Sequence, residues 1–192
     1  MPAKRVLITI GVAAFVVSCS SAPDPILYTL TDNDLPSPSI TNDQIIGLSE
    51  LTLPAYARNQ QITTAISDYR ISEDDDHRWA APPSEALTAA LSRALEDNSG
   101  STVLQRPFPA GVRPDVRLTL SFDRLLRGAD GEAEMMGQYL LQRKGSDPEI
   151  SRFSIIVPST GGNYEAYMAA LSTGLTELAA EIAAALATEA TE

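Results

Sequence analysis

The stretch DVRLTLSF, residues 115–122, decides the fold. Its side chains alternate strictly between apolar and polar, and the apolar members are Val116, Leu118, Leu120 and Phe122. Successive side chains of a strand point to opposite faces, so a period of two places all four on one side. The stretch is therefore predicted to be a half-buried strand with one face against a core.

Two further strands are predicted directly after it. The turn RGADGE, residues 127–132, leads to AEMMGQYLLQR, residues 133–143. A second turn, KGSDPE (144–149), leads into ISRFSIIVP (150–158). Short connections rich in Gly and Asp between apolar runs are typical of β-hairpins. The sequence predicts an antiparallel meander of three strands.

A first amphipathic helix is predicted over residues 81–98. Leucines recur there at every fourth position, at Leu87, Leu91 and Leu95. Gly100 follows as a helix stop signal.

A second helix is predicted from Tyr164 to about residue 187. Its apolar face consists of Tyr164, Met168, Leu171, Leu175, Leu178, Ile182 and Leu186. Three glutamates, Glu165, Glu177 and Glu181, argue against a membrane span. The apolar face could cover the sheet or form a coiled coil with a partner, and covering the sheet is the favoured interpretation.

The region before the first helix is predicted to contain three strands and one long loop. The strands are expected at 26–30, near 45–53 and near 61–71, because these runs are rich in Ile, Leu, Thr and Tyr. Residues 31–44 are predicted to be a turn-rich loop, and SEDDDHR (72–78) a solvated charge run. The fold class is therefore α/β, a single domain over residues 26–188 with a mixed, largely antiparallel sheet and two principal helices. A tail, 189–192, follows.

The N-terminus has the features of a lipoprotein signal peptide. Lys4 and Arg5 precede an apolar run of twelve residues, 6–17, which is too short for a transmembrane helix. The sequence Val16-Val17-Ser18-Cys19 then resembles the bacterial lipobox. We expect residues 1–18 to be removed after Ser18, Cys19 to carry the lipid, and residues 19–25 to form a tether. The alternatives are an ordinary signal peptide with a chance cysteine, or a soluble protein with an apolar N-terminus.

Ser20 and the overall charge bear on where the protein resides. In Gram-negative lipoprotein sorting, serine after the lipidated cysteine favours transfer to the outer membrane, whereas aspartate favours inner-membrane retention. The chain has 25 acidic and 14 basic side chains, a formal net charge of −11. Without a basic stripe, we expect no nucleic-acid binding and no polybasic adhesion to anionic lipid. The predicted anchor is the lipid alone.

No motif in the sequence indicates catalysis. His77 is the only histidine, it lies in the acidic run, and no G-x-S-x-G elbow accompanies it. The run Asp74–Asp76 lacks the spacing of an EF-hand loop. We therefore expect no enzymatic activity, no catalytic residues, no metal and no cofactor.

Four short stretches carry a resemblance to a known family. They are YTL (28–30), LPAY (53–56), QIT (61–63) and RWAAP (78–82). Together with the lipobox and the closing helix, they are similar to the ABC-type transport auxiliary lipoproteins, the family of the lipoprotein of the paraquat-inducible operon. The matching motif positions, with structural or interface roles, are Leu53, Pro54, Tyr56, Gln61, Arg78, Trp79 and Pro82. The chain departs from the family pattern at residues 57–60, 81 and 83.

The resemblance implies a non-enzymatic function. Such lipoproteins lie on the periplasmic face of the outer membrane and act with an ABC transporter and an MCE-domain protein in moving lipids between the two membranes, which supports envelope integrity. The alternatives are a lipid-anchored periplasmic hydrolase and a purely structural envelope lipoprotein. Homo-oligomerisation stays open, and Trp79 is expected to be a core anchor rather than an interface residue.

Overall fold

A computed structural model describes residues 24–30 and 38–188 of the chain. The predicted signal peptide, Cys19, the centre of the predicted loop and the tail lie outside the described residues. The strands are β1 (Ile26–Tyr28), β2 (Ile45–Thr52), β3 (Gln61–Ser67), β4 (Arg70–Trp79), β5 (Thr102–Gln105), β6 (Val116–Arg127), β7 (Ala133–Arg143) and β8 (Glu149–Val157). The helices are α1 (Pro83–Ser99) and α2 (Tyr164–Thr188), and a 3₁₀ turn covers Ala55–Ala57.

The predicted meander is confirmed as β6, β7 and β8. These strands pair antiparallel, with Leu118 opposite Leu141 and Leu120 opposite Tyr139. The apolar alternation of the 115–122 stretch is buried on one face, and Leu118 and Leu120 are fully inaccessible. A bulge between Phe122 and Arg124 lets β6 bend and continue to Arg127.

The remaining strands make the sheet mixed. β2 lies parallel to both β6 and β5, and β1 lies parallel to β4. β3 meets β6 through the single pair Thr64 and Arg127. The domain is thus α/β with a largely antiparallel sheet, as the sequence predicts, although β5 was not predicted.

The predictions for residues 61–71 and for the charge run at 72–78 were wrong in their boundaries. The structure places a hairpin there, in which β3 ends at Ser67 and β4 runs from Arg70 through the acidic residues to Trp79. The charged side chains fit a strand because Glu73 remains exposed to water while its backbone pairs with Thr63 of β3, and the exposed Asp75 and Asp76 lie in a bulge between the pairs made by Asp74 and Arg78. The charged run therefore predicted correctly that these side chains are exposed, but it predicted wrongly that the segment is not a strand.

Both helices pack against the sheet and against each other. On α1 the predicted leucine face is fully buried, and the helix ends at Gly100, whose φ of 64° is the left-handed cap conformation. On α2 the predicted face is buried from Met168 to Leu186, and Tyr167 joins it. Among the described residues, α2 alone is long and apolar enough to cross a membrane, but its buried face identifies it as a core helix.

The C-terminal part of the predicted loop is held in place. The backbone N–H groups of Thr41 and Asn42 both donate to the carbonyl of Gly100, at 2.8 and 3.1 Å. The Asn42 side chain also donates to the carbonyl of Ser99 at 2.9 Å. Residues 41–44 therefore lie against the end of α1, and the centre of the loop lies outside the described residues.

Substitution of Gly137 by alanine is expected to destabilise the domain. An added Cβ would lie 2.1 Å from the carbonyl oxygen of Ser121 and 2.9 Å from Phe153, so the sheet backbone must shift. Overpacking of this kind costs about 1–3 kcal/mol of unfolding free energy. Urea denaturation measures the loss. Gly161→Ala is the matched control, because its added Cβ meets no atom closer than 3.5 Å, and equal stability of the two variants would contradict the prediction.

Candidate functional site

Four side chains meet where β1, β4 and α2 come together, and we call Tyr28, Asp74, His77 and Tyr164 the anchor junction. The Tyr28 hydroxyl lies 2.8 Å from His77 Nδ1, and the two form a hydrogen bond. The His77 ring stacks on Tyr164 with 4.1 Å between ring centroids. The Tyr164 hydroxyl in turn donates to Asp74 Oδ2 at 2.5 Å. The junction thus fixes the first strand and the β3–β4 hairpin to the second helix.

Both carboxylate oxygens of Asp74 are engaged in this arrangement. Oδ1 accepts the backbone N–H groups of Asp76 at 2.9 Å and His77 at 3.2 Å, while Oδ2 accepts Tyr164. Burial alone would raise the pKa of Asp74, but the hydrogen bonds from Tyr164 and the backbone, with nearby His77, outweigh it. The net effect lowers the pKa of Asp74 below its usual value of 3.8.

Arg127 extends the junction to β6. Its guanidinium carbon lies 5.3 Å from the centre of the Tyr164 ring, a cation–π contact. Its Nη2 donates to the carbonyl of Gly162 at 2.5 Å. Arg127 therefore joins the end of β6 to the loop that precedes α2.

The chemistry of the junction favours positioning over catalysis. Burial, with the charges of Glu165 and Asp74, raises the pKa of Tyr28, so its hydroxyl stays neutral at pH 7. Burial and the hydrogen bond to Asp74 likewise raise the pKa of Tyr164. A lowered pKa would make a tyrosine hydroxyl a better nucleophile at neutral pH, and the pKa values of both tyrosines are raised instead.

Acid is expected to weaken the junction through Asp74. Because its pKa is lower in the folded state, its contribution to stability is complete above the unfolded pKa of about 3.9 and is lost as pH falls through the folded value. Asp74→Asn should therefore melt at lower temperature than the wild type at pH 7, and the difference should shrink as the pH falls below about 4. The matched control is Asp76→Asn, whose exposed side chain should produce little difference. A difference in melting temperature between Asp74→Asn and the wild type that does not change with pH would contradict this role of the Asp74 carboxylate.

The motif positions gather beside this junction, around the base of the β3–β4 hairpin. Leu53 and Trp79 are buried, at 3% and 5% exposure. The Tyr56 hydroxyl accepts the backbone N–H of Leu125 at 3.4 Å, and its carbonyl accepts the Thr63 hydroxyl at 3.0 Å.

The other motif positions lie on the hairpin or at the start of α1. Gln61 and Arg78 are opposite each other in the register, and both side chains reach Asp75, at 3.4 and 3.7 Å. Pro54 precedes the 3₁₀ turn, and the Pro82 carbonyl accepts the first N–H groups of α1. The structure therefore brings these positions into one region of the fold, whereas Cys19 lies outside the described residues.

A surface groove of about 550 Å³ runs between α1 and α2. Its walls combine small and apolar side chains, such as Leu30, Ala90 and Leu175, with charged ones on α1, Glu85, Arg93 and Glu96. Sequence reasoning did not find the groove, because it forms only where the two helices cross. It also did not find the contacts of the anchor junction, because the bonded residues lie far apart in the chain. Tyr28 and His77 are 49 positions apart, and Asp74 and Tyr164 are 90 positions apart.

The sequence motifs and the order of strands and helices agree with one protein family. Residues 28–183 match the family model described as "ABC-type transport auxiliary lipoprotein component". The chain belongs to this family. Membership makes the protein an envelope-associated lipoprotein that assists a transport system, and it confirms the resemblance to the ABC-type transport auxiliary lipoproteins.

Solved structures share the fold of this auxiliary lipoprotein. A crystal structure of an uncharacterized protein is 18% identical, covers 86% of this chain and all of its own, and has a TM-score of 0.72. A Xanthomonas campestris protein of the DUF330 family is 17% identical, covers 82% of this chain and 92% of its own, with a TM-score of 0.61. A PelC dodecamer from Paraburkholderia phytofirmans scores only 0.41 at 13% identity, over 77% of this chain and 92% of its own, and carries no argument. No curated protein sequence matches this chain significantly.

Proposed function

We propose that this lipoprotein is anchored in the outer membrane by Cys19 and serves as the non-enzymatic auxiliary component of an ABC/MCE-type system that moves lipids between the membranes. The observation that carries the proposal is the family match over residues 28–183, directly behind the lipobox at residues 16–19. Serine at position 20 supports the outer membrane as the destination.

The short tether explains why a partner is needed. From Cys19 to Ile26 the chain has seven residues, which reach at most roughly 25 Å when fully extended. A domain held so close to one membrane cannot reach the other. Transport across the periplasm therefore requires a long component that arrives from the inner membrane, and an MCE-domain protein is the component that the family resemblance implies.

The contacts of His77 support a non-enzymatic role. Its Nδ1 is engaged by a tyrosine that burial keeps protonated, and its ring is stacked on a second tyrosine. Within residues 24–30 and 38–188, no group of three or more His, Cys, Asp and Glu side chains is arranged to hold a metal ion.

The free edge of β8 is the surface we would test first for the partner. In the described part of the chain, β8 pairs only with β7, so one side of its nine residues presents unpaired backbone groups. Ile150 and Ile156 are 62% and 55% exposed on this strand. A strand edge with apolar side chains suits addition of a strand from a partner.

Photo-cross-linking in whole cells tests the proposal. A photoreactive residue placed at Ile150 or Ile156 is expected to capture the MCE-domain protein, and the captured complex should sediment with outer-membrane fractions. The matched control places the same residue at Glu177, which is exposed on α2. Sedimentation with the inner membrane, or no MCE-domain protein captured at any site, would contradict the proposal.

A further inference from the structure

The distal half of the β3–β4 hairpin stands clear of the sheet. β3 pairs with β6 only at Thr64, and β1 pairs with β4 only from His77 onward. Beyond these points, the described chain forms a two-stranded ribbon that ends in the turn at Asp68 and Tyr69. Ser67 lies three residues past Thr64, roughly 10 Å beyond the last pairing with β6.

This projecting end, residues 66–71, which we call the hairpin tip, is apolar and exposed. Ile66, Tyr69 and Ile71 are 51%, 98% and 44% exposed. The charges of Asp68 and Arg70 between them cancel. Exposed apolar side chains grouped on a protruding turn mark an interaction surface.

The first strand begins at the end of β1 that faces the hairpin tip. β1 is parallel to β4, with Ile26 opposite His77. Because β4 begins at the tip, the start of β1 faces the tip as well. The chain that connects Ile26 to Cys19 therefore leaves β1 at the end nearer to Tyr69.

The lengths of the tether and the hairpin also agree. Seven residues from Cys19 to Ile26 reach at most roughly 25 Å. From Gln61, which lies opposite Arg78 in the part of β4 that pairs with β1, to Ser67 at the turn, six residues of β3 measure roughly 20 Å. When the lipid on Cys19 is in a bilayer, the tip can therefore contact the surface of the same bilayer.

We propose that the hairpin tip inserts into the interfacial layer of the membrane that holds the Cys19 lipid and so fixes the orientation of the domain. The proposal rests on the lipid anchor of the proposed function and adds a second membrane contact to it. Tyrosine suits the membrane interface, where its ring is buried and its hydroxyl stays wet, and the two isoleucines bury apolar surface beside it.

The charges on the hairpin indicate which kind of lipid surface the tip contacts and how deeply the hairpin enters it. The neutral tip fits a zwitterionic surface such as phosphatidylethanolamine, because it has no excess of basic side chains for anionic lipid. Farther from the tip, Glu73, Asp75 and Asp76 are exposed and stay in water. The anchor junction at Asp74 and His77 holds the base of the hairpin against α2, so tip contact orients the whole domain.

Tryptophan fluorescence of the full lipidated protein in phosphatidylethanolamine/phosphatidylcholine vesicles tests the proposal. In Tyr69→Trp, the added tryptophan should emit at shorter wavelength than in detergent-free buffer and should be quenched by brominated lipid. Trp79 is buried and provides the same background in every variant. Ser146→Trp is the matched control, since it is exposed in the β7–β8 turn at the opposite end of β6 and should not be quenched.

Flotation with the vesicles tests the lipid anchor separately from the membrane contact of the tip. Protein that fails to float overturns the lipid anchor itself. Protein that floats while the tryptophan of Tyr69→Trp stays unquenched overturns the membrane contact of the tip alone. Shielding of that tryptophan only when an MCE-domain protein is added would also overturn it, in favour of a protein partner. Adding Ile66→Ser and Ile71→Ser should reduce the quenching of Tyr69→Trp, and unchanged quenching would contradict insertion of the tip.

Discussion

Trp79→Ala is expected to lower the free energy of unfolding by about 3–5 kcal/mol, a large part of the total stability of a typical domain. The indole is only 5% exposed and belongs to the main core. Its neighbours around a small space of about 10 Å³ include Ala57, Ile62, Leu125 and Tyr167, which come from several different elements of the fold. Truncation leaves a cavity that these residues can fill only in part.

Denaturation of the lipid-free domain measures this effect. Trp79→Phe should cost less than Trp79→Ala, because most of the volume is kept. Tyr69→Ala is the control for loss of an aromatic side chain from the surface, and it should leave the midpoint unchanged. An unchanged midpoint in Trp79→Ala, together with weaker partner binding, would show that Trp79 is an interface residue instead.

Cys19→Ser is expected to abolish lipidation completely and, with it, the maturation and the lipid anchor that depend on the modified cysteine. The hydroxyl cannot take the thioether-linked diacylglycerol on which lipoprotein processing depends, and Cys19 is the only cysteine in the chain. Loss of the acyl chains removes about 0.8 kcal/mol of membrane affinity for every buried CH₂.

Incorporation of labelled palmitate, followed by membrane fractionation, measures both consequences. The wild type should be labelled and membrane-bound, and Cys19→Ser should be unlabelled. Ser20→Asp is the informative control, since it should keep the label and move the protein to the inner membrane. Unlabelled wild-type protein recovered from the soluble periplasm would contradict the lipid anchor.

Local periodicity was sufficient to predict the elements that form the core. The alternation from Val116 to Phe122 and the leucine spacing of α1 each record one buried face, and such a pattern is independent of the rest of the chain. The same holds for α2, where the structure adds Tyr167 and the small residues Ala170, Gly174 and Ala179 to the predicted face.

The elements that were not predicted from the sequence have no periodic pattern of apolar residues. β5 is four residues long, too short to show a period. β4 carries mostly charged residues, which strands generally avoid, and it forms because its backbone pairs with β3 while most of its side chains face water. The anchor junction depends on contacts between residues far apart in the chain, such as Asp74 and Tyr164, which no local pattern encodes.

Titration calorimetry between the lipid-free domain and the periplasmic part of the MCE-domain protein tests the central claim most directly. We expect association at micromolar concentrations, weakened by Ile150→Lys and Ile156→Lys in β8 and unchanged by Glu177→Lys on α2. The lysine variants should keep the wild-type melting temperature, because these side chains are exposed. No association at micromolar concentrations, combined with measurable hydrolysis of an envelope substrate by the same domain, would contradict the account and favour an enzyme.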